Sequence, residues 1–538
     1  MANSTSTSIS TTRTAIATSS AAAHSSTSTS SPSKHDPETG YHDGDIAFLL
    51  LCTVLVMLMI PGVGFFYSGL SRRKSALSLI FISILACAVT SIQWFIWGFS
   101  LSFSPGVASS GLIGTLNNAF FMGVLDQPFV NNAHPIPDLL FAVYQGLFSA
   151  IAVVLAAGAA AERGRLLPCA VFMFVWATLV YDPVACWTWN PHGKGGWAYA
   201  MGILDWAGGT PVHIVGGCAS LAYSMVLGKR KGHGTHELNY RPHNVASVII
   251  GTIFLWVGWF GFNAGGALAA NLRAVVAVAT TNLAACVGGI TWCVLDWRFE
   301  RKWSAVGFCS GVVAGLIAIT PGSGFVPVWA AVPFGIFGAG LANYGTKIKF
   351  LCNIDDALDT FAVHAVAGLV GNILTGVFAS KAIAHLDGAT NIDGGWLNHN
   401  WKQVLFQIAG SVAGGVYSFI MTALIVVVLD LIPGLSLRVS EAAEVLGIDD
   451  SEIGEFAYDY VELTREVGID GGVAGSIMDG VGETGSMFSN AQLRQQQQQV
   501  GRSASPTIAS AAGARAFTRE DTKDSAIVFG SGQPAIYG

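Results

Sequence analysis

Charged residues are scarce in this 538-residue sequence: Asp, Glu, Lys and Arg make up 11% of it, whereas 52% is hydrophobic. A soluble domain carries about a quarter charged residues, so the composition excludes an ordinary soluble enzyme or binding module. The formal net charge is −6, and there is no basic patch of the kind that nucleic-acid binding needs. The composition therefore indicates an integral membrane protein and no nucleic-acid partner.

Motifs for catalysis or cofactor binding are also missing. The nine cysteines are scattered singly, which indicates neither a disulfide framework nor a zinc site. No nucleophile elbow, nucleotide-binding loop or metal-ligand cluster with a workable spacing occurs. We therefore expect no enzyme activity, no cofactor and no bound metal.

Long apolar runs are what the sequence does have. Counted by hydropathy and turn residues, eleven runs are long enough to cross a bilayer. We therefore predict an all-α polytopic membrane protein with eleven transmembrane helices. The predicted spans are 45–67, 76–99, 138–161, 168–189, 209–228, 244–264, 275–295, 304–320, 326–344, 360–379 and 403–432.

Lys and Arg concentrate in the loops after odd-numbered spans, as in Arg72–Lys74 and Lys229–Lys231. Positive loops face the cytoplasm, so we predict an outside N-terminus and an inside C-terminus. The Ser/Thr-rich segment 1–44 then becomes a disordered extracellular tail. Its Asn3-Ser4-Thr5 sequence makes Asn3 a glycosylation candidate.

Two acid–histidine pairs share one spacing. Asp205 precedes His213 by eight residues at the start of the fifth span, and Asp356 precedes His364 by eight at the start of the tenth. Five spans separate the pairs, which predicts two inverted five-helix repeats followed by a final helix. In such folds the site lies between the repeats, so the two histidines should meet near the centre.

Each of these residues also has a structural interpretation. A buried imidazole can simply bond between helices, although two matched pairs favour a role in lining a pathway. Asp205 lies where a carboxylate can accept hydrogen bonds from the free N–H groups of a helix. We expect its role to be chiefly structural, with some long-range attraction for a cation.

Four segments carry a family resemblance: "DWAGGTPVHIVGGCAS", "VGWFGFNAGGALAAN", "DDALDTFAVHAVAGLVGN" and "LFSAIAVVLAAGAAAERGR". They resemble the signatures of the ammonium transporter (Amt/Mep/Rh) family, over about residues 45–460. Trp189, in "ACWTWNP", and His213 make the chain most similar to the fungal ammonium permeases. The resemblance implies a multi-pass protein of the plasma membrane and a homotrimer with one pore in each subunit.

The resemblance also implies residue roles. Trp189 and Phe148 would form an outer recruitment site, with Asp205 nearby, and Phe148 and Phe262 would stack as a gate below it. His213 and His364 would line the pore. The family often has serine where this chain has Gly266, so a hydroxyl contact to the ion is missing. The residues implied to bind substrate or line the pore are Trp189, Phe148, Phe262, Asp205, His213 and His364.

This set of residues suits ammonium. An aromatic face attracts any cation, so Trp189 recruits without selecting. Ammonium can donate directed hydrogen bonds and lose a proton, and potassium can do neither. A neutral imidazole can accept an N–H and relay a proton. We therefore expect transport of ammonium and methylammonium, with deprotonation at the gate; the alternative function is a sensor that signals nitrogen availability.

The remaining sequence divides into a transmembrane domain (45–435), a cytoplasmic regulatory region (436–462) and a disordered cytoplasmic tail (463–538). The acidic region Leu437–Glu462 resembles the family's C-terminal segment, which packs under the pore. The tail is low in complexity. Its residues Ser503, Ser505 and Thr507 are candidate phosphorylation sites, so a kinase or another regulatory protein is a possible partner.

Overall fold

The computed structural model describes residues 40–458 apart from 106–110, 126, 132–133, 194 and 236–240. Asn3, Ser503, Ser505 and Thr507 lie outside the described residues, as do most of segment 1–44 and all of 463–538. The helices of the first half are α1 (Asp43–Leu70), α2 (Ala76–Gln93), α3 (Phe99–Phe103), α4 (Asp138–Ala157), α5 (Leu166–Trp176), α6 (Asp182–Trp189), α7 (Trp197–Met201) and α8 (Val215–Leu227).

The second half is helical in the same way. Its helices are α9 (Val245–Ala264), α10 (Leu272–Glu300), α11 (Ala305–Ile319), α12 (Ala331–Gly345), α13 (Ile348–Leu351), α14 (Ala367–Phe378), α15 (Lys381–Ala384), α16 (Gln403–Leu431) and α17 (Glu441–Leu446). Several spans are extended by π-helical turns, at Trp94–Gly98, Ala177–Tyr181, Gly209–Ile214 and Phe361–Val366.

Within the described residues, nine helical segments are long and apolar enough to cross a membrane. They match nine of the eleven predicted spans. The eighth and ninth predicted spans correspond to α11 and α12, which are only 15 residues each. Glycines let α11 lie against α10, because a Cβ on Gly311 or Gly315 would collide with the α10 backbone. The apolar helices make this a multi-pass membrane protein; the count of eleven and the orientation stay predictions.

The fold departs from a purely helical one at a single described hairpin. Strands β1 (Pro128–Asn131) and β2 (His134–Pro137) pair antiparallel, with Phe129 opposite Ile136. The hairpin lies in the long connection between α3 and α4. The hydropathy pattern could not find it, because two short strands carry no span-length signal.

The first helices of the two predicted repeats pack against each other. A Cβ on Gly251 of α9 would collide with the backbone of α1 at Phe66, and one on Gly258 would collide with Met59. Glycine at these positions lets the two helix backbones approach closely, as is common between membrane helices. The halves of the chain are thus joined along their leading helices.

At one end of the bundle, loops that follow odd-numbered spans share a buried ion network. Arg230 donates to Asp355 from Nη2 to Oδ1 at 2.7 Å and to Glu162 from Nη1 to Oε2 at 2.8 Å. Arg72 donates to the same Glu162 oxygen at 2.7 Å. Arg163 is fully buried and donates to the Asp355 carbonyl at 2.8 Å. Four loops are therefore tied together by charge.

The C-terminal segment docks on this same end. Asp449 accepts hydrogen bonds from the N–H groups of Leu77 and Ser78, at 2.9 and 2.8 Å, in the first turn of α2. Glu444 accepts from Lys231 N at 2.6 Å, and Glu452 accepts from Leu166 N, at the start of α5, at 3.0 Å. Acidic side chains thus satisfy helix N-termini that would otherwise carry free N–H groups.

Candidate functional site

The two histidines meet, although 151 residues separate them. His213 and His364 lie in the π-helical segments Gly209–Ile214 and Phe361–Val366, and their Nδ1 atoms are 3.4 Å apart. His213 is fully buried, and its Nε2 has no hydrogen-bond partner among the residues that the structure describes. A buried imidazole nitrogen without a partner is costly, so this atom is available to a passing ligand.

The acids at the matched positions hold the helix starts. Asp205 Oδ1 accepts from Gly208 N and Gly209 N, both at 2.8 Å, and Oδ2 accepts from Thr210 N at 2.7 Å. Asp356 Oδ2 accepts from Phe361 N at 2.9 Å. The expected structural role of Asp205 therefore has its hydrogen bonds in place. Burial raises the pKa of Asp205 to about 6, although the three N–H groups lower it, so the carboxylate is charged at neutral pH.

Two phenylalanines lie between the histidines and Trp189. Phe148 and Phe262 stack with ring centroids 4.0 Å apart and planes 15° apart. Both rings are essentially fully buried. Phe262 lies 6.1 Å from the His213 ring on one side of this stack, and Phe148 lies 6.1 Å from the Trp189 ring on the other. The stacked rings therefore separate the histidine pair from Trp189.

Above the stack lies a cavity of about 550 Å³. We call it the vestibule. Trp189 is half-buried there, and its Nε1 donates to the Asp205 carbonyl at 2.8 Å, which fixes the indole. The lining of the vestibule also includes Phe148, Asp205 and Gly266. The structure thus brings all the outer-site residues predicted from the sequence to one cavity.

Sequence reasoning missed two tryptophans beside these residues. Trp259 stacks on His213, with centroids 5.2 Å apart and planes 19° apart, and its Nε1 donates to Thr320 Oγ1 at 2.8 Å. Trp206 lines the vestibule and donates from Nε1 to the Asn263 carbonyl at 2.6 Å. Both lie inside the quoted family segments. In an apolar run, however, sequence spacing does not distinguish a tryptophan of a site from one that only packs between helices.

The glycine at position 266 has a local cause. A Cβ placed on Gly266 would lie 2.8 Å from Trp206 Nε1, which is too close. Trp206 also packs closely on Gly324, where an added Cβ would lie 2.5 Å from atoms of its ring, so the indole has little room to move. The position of Trp206 thus requires glycine at 266. A serine there would displace the Trp206 indole.

Replacing Gly266 by serine is therefore expected to lower stability rather than to improve the outer site. The serine should displace Trp206 and cost about 1–3 kcal/mol of unfolding free energy, the usual effect of overpacking. Thermal unfolding of the purified protein and the KM for methylammonium uptake measure the result. Gly266→Ala is the matched control, since it adds the Cβ without the hydroxyl. A serine variant that gains affinity at unchanged stability, while the alanine variant does not, would contradict this reasoning.

Long apolar helices, a vestibule and a buried histidine pair behind two stacked rings define a multi-pass membrane protein. Residues 47–458 match the Ammonium Transporter Family, and the chain belongs to that family. The resemblance inferred from the sequence is thus confirmed.

Fungal ammonium transporters are among the relatives of this chain. The chain is 54% identical to Ammonium transporter 1 of Schizosaccharomyces pombe over 427 residues, which are 79% of this chain and 84% of that protein. The crystal structure of Candida albicans Mep2 is similar with a TM-score of 0.71 and 46% identity, covering 78% of this chain and 91% of that one. The structure of Saccharomyces cerevisiae Mep2 gives a TM-score of 0.72 at 43% identity, covering 79% and 96%. Because these relatives are transporters, the expectation that the chain is not an enzyme is confirmed.

Proposed function

We propose that this chain transports ammonium, and methylammonium, across the plasma membrane. The observation that carries the proposal is the His213–His364 pair, buried directly behind the Phe148–Phe262 stack. The path crosses the membrane through one subunit of a homotrimer, within eleven spans that place the N-terminus outside and the C-terminus in the cytoplasm.

Recruitment takes place in the vestibule. The Trp189 face attracts a cation through its quadrupole, and the Asp205 carboxylate adds a favourable field although its oxygens already accept three hydrogen bonds. Neither contact distinguishes ammonium from potassium. Selection must therefore come at the next step.

Passage requires the Phe148–Phe262 stack to part and the ion to lose water. Desolvation disfavours the charged form, so ammonium gives up its proton near the stack and crosses as ammonia. His213 Nε2 supplies an acceptor at that point, and the contact between the two Nδ1 atoms offers the proton a continuing path. Potassium has no proton to give and meets the desolvation cost unaided.

The docked C-terminal segment is well placed for regulation. Its contacts reach α2, α5 and the loop that carries Lys231, and these elements lie at the predicted cytoplasmic end. Undocking would free the N-termini of two spanning helices. We infer that a kinase or another regulatory protein acting on the cytoplasmic tail would alter transport through this segment.

The test is uptake by yeast cells that lack their own ammonium transporters. Wild type should give saturable methylammonium uptake, and Trp189→Leu should raise KM about tenfold with a smaller change in Vmax, because a cation–π contact is lost. Trp401→Leu is the matched control, since this exposed tryptophan is not among the residues that line the vestibule. Absence of uptake from correctly targeted wild-type protein would contradict transport and favour the sensor function.

A further inference from the structure

One side chain in the vestibule carries a permanent positive charge in a place suited to a ligand cation. Arg273 lies in the first turn of α10 and is buried, with 5% exposure. Its guanidinium carbon lies 4.3 Å from the centroid of the Trp206 ring and 4.8 Å from that of Phe325. These two rings meet nearly edge to face, at 83° and 5.4 Å. They form an aromatic corner that the guanidinium fills.

A carboxylate completes the surroundings of this guanidinium. Arg273 Nη1 donates to Asp387 Oδ2 at 2.9 Å and to Thr390 Oγ1 at 2.9 Å, and Nε donates to the Gly324 carbonyl at 2.9 Å. Asp387 also accepts from the N–H groups of Ala389 and Thr390, at 2.9 and 2.7 Å. Burial disfavours the charged form, yet these bonds and Arg273 lower the pKa of Asp387 below its ordinary value, so the carboxylate is charged.

An aromatic corner with a carboxylate is the chemistry that binds small ammonium cations. Trp189 and Asp205, which line the same cavity, present the same pair of groups. We propose that Trp206, Phe325 and Asp387 form a second cation site in the vestibule, which Arg273 occupies as a built-in cation. In the native protein, ligand cations are thereby excluded from this corner and directed to Trp189.

The effect of this site on transport rests on the proposed function, whereas the existence of the site is tested by binding alone. Arg273→Ala should open the corner and leave Asp387 unpaired beside two aromatic rings. Tetramethylammonium is the probe, because it is permanently charged and cannot lose a proton. We expect the purified Arg273→Ala protein to bind it about tenfold more tightly than wild type, measured by its effect on thermal unfolding.

Three further variants separate a cation site from a mere structural clamp. Arg273→Lys keeps a cation in place and should bind the probe as wild type does. Arg273→Ala combined with Asp387→Asn should lose the gained affinity, because the carboxylate is gone. Thr390→Val removes a hydrogen bond but no charge, and should leave probe binding unchanged. If Arg273→Ala does not fold, Arg273→Gln replaces it, with a smaller gain expected because the glutamine removes the charge but fills part of the corner.

The transport readout follows from the binding result. In uptake assays, tetramethylammonium should inhibit Arg273→Ala about tenfold more strongly than wild type. Probe affinity that is unchanged or weaker in Arg273→Ala, or a gain that persists without Asp387, would overturn the inference. Wild type that takes up no ammonium would instead contradict the proposed function and leave the binding result standing.

Discussion

Substituting alanine for His213 or His364 is expected to lower ammonium uptake about a hundredfold and to weaken the exclusion of potassium. The first effect follows because a positioned proton acceptor contributes on the order of 10²–10⁴ in rate. The second follows because a smaller apolar side chain removes the imidazole and leaves room for water, which would reduce the desolvation cost that keeps potassium out. Uptake of labelled methylammonium and membrane current, recorded together, measure both effects.

The two histidines should behave as one unit. Their Nδ1 atoms are 3.4 Å apart, so removing either breaks the path for a proton. The double variant should therefore take up ammonium no more slowly than the more impaired of the two single variants, as is usual for groups that act together. His399→Ala is the matched control, because His399 lies beside Trp401 in the loop before α16 and is not among the residues that line the vestibule. A double variant that carries ammonium normally and still excludes potassium would disprove the proposed scheme.

The second large effect is expected at the buried ion network around Arg230. Arg230→Met should lower the free energy of unfolding by about 3–5 kcal/mol, the usual cost of removing one partner from buried ion pairs. Arg72 would remain on Glu162 and Arg163 near Asp355, but together they would not balance both carboxylates as Arg230 does. Arg230 is 7% exposed and neutralises both Glu162 and Asp355. Thermal unfolding in detergent at about neutral pH gives the value. Arg298→Met, at an exposed arginine, is the control and should change stability by less than about 0.5 kcal/mol.

The sign of the pH dependence gives an independent check. Burial disfavours charged carboxylates, but Arg230 outweighs it, so the pKa values of Glu162 and Asp355 lie below their ordinary ones. In wild type this stabilisation is present above the unfolded pKa of about 4 and is lost only in strong acid. Without Arg230, only Arg72 and Arg163 still favour the charged carboxylates, so both should protonate at a higher pH than in wild type, which relieves the penalty. The difference between variant and wild type should therefore shrink as the pH falls from about 7.5 to about 5.

Neutral isosteres should rescue the variant. Adding Glu162→Gln and Asp355→Asn to Arg230→Met removes the charges that Arg230 no longer neutralises and should recover most of the lost stability at neutral pH. A triple variant as unstable as the single one would show that packing of the arginine stem, rather than charge, stabilises this end. An unchanged unfolding temperature for Arg230→Met alone would contradict the argument altogether.

The helical spans and the histidine pair could be predicted because each has a local signal. Apolar runs of span length are forced by the bilayer, and two acids each placed eight residues before a histidine repeat along the chain. The hydropathy signal was weakest for α11 and α12, because each helix is shorter than the thickness of a bilayer requires. The hairpin Pro128–Pro137 gave none, since its strands are four residues each.

Other features could not be predicted, because they join residues whose relation is set only by how helices rotate and pack. Nothing in the sequence around Arg273 points to a partner, whereas packing buries this residue against Trp206 and against Asp387, 114 residues further along the chain. Gly266 suggested a missing hydroxyl, and the structure shows an indole in that space. Neither of these contacts produces a periodic pattern in the sequence.

By itself, the sequence predicted the membrane environment of this protein, nine of its long apolar helices, the meeting of the two histidines and the family. These follow from composition and spacing, which any fold of the chain must respect. Only the tertiary structure decided which side chains meet: the Phe148–Phe262 stack, the Trp259 ring on His213, the filled corner at Arg273 and the network around Arg230. The physical reason is that contacts between distant segments depend on helix orientation and close packing, and neither is encoded at a fixed distance along the chain.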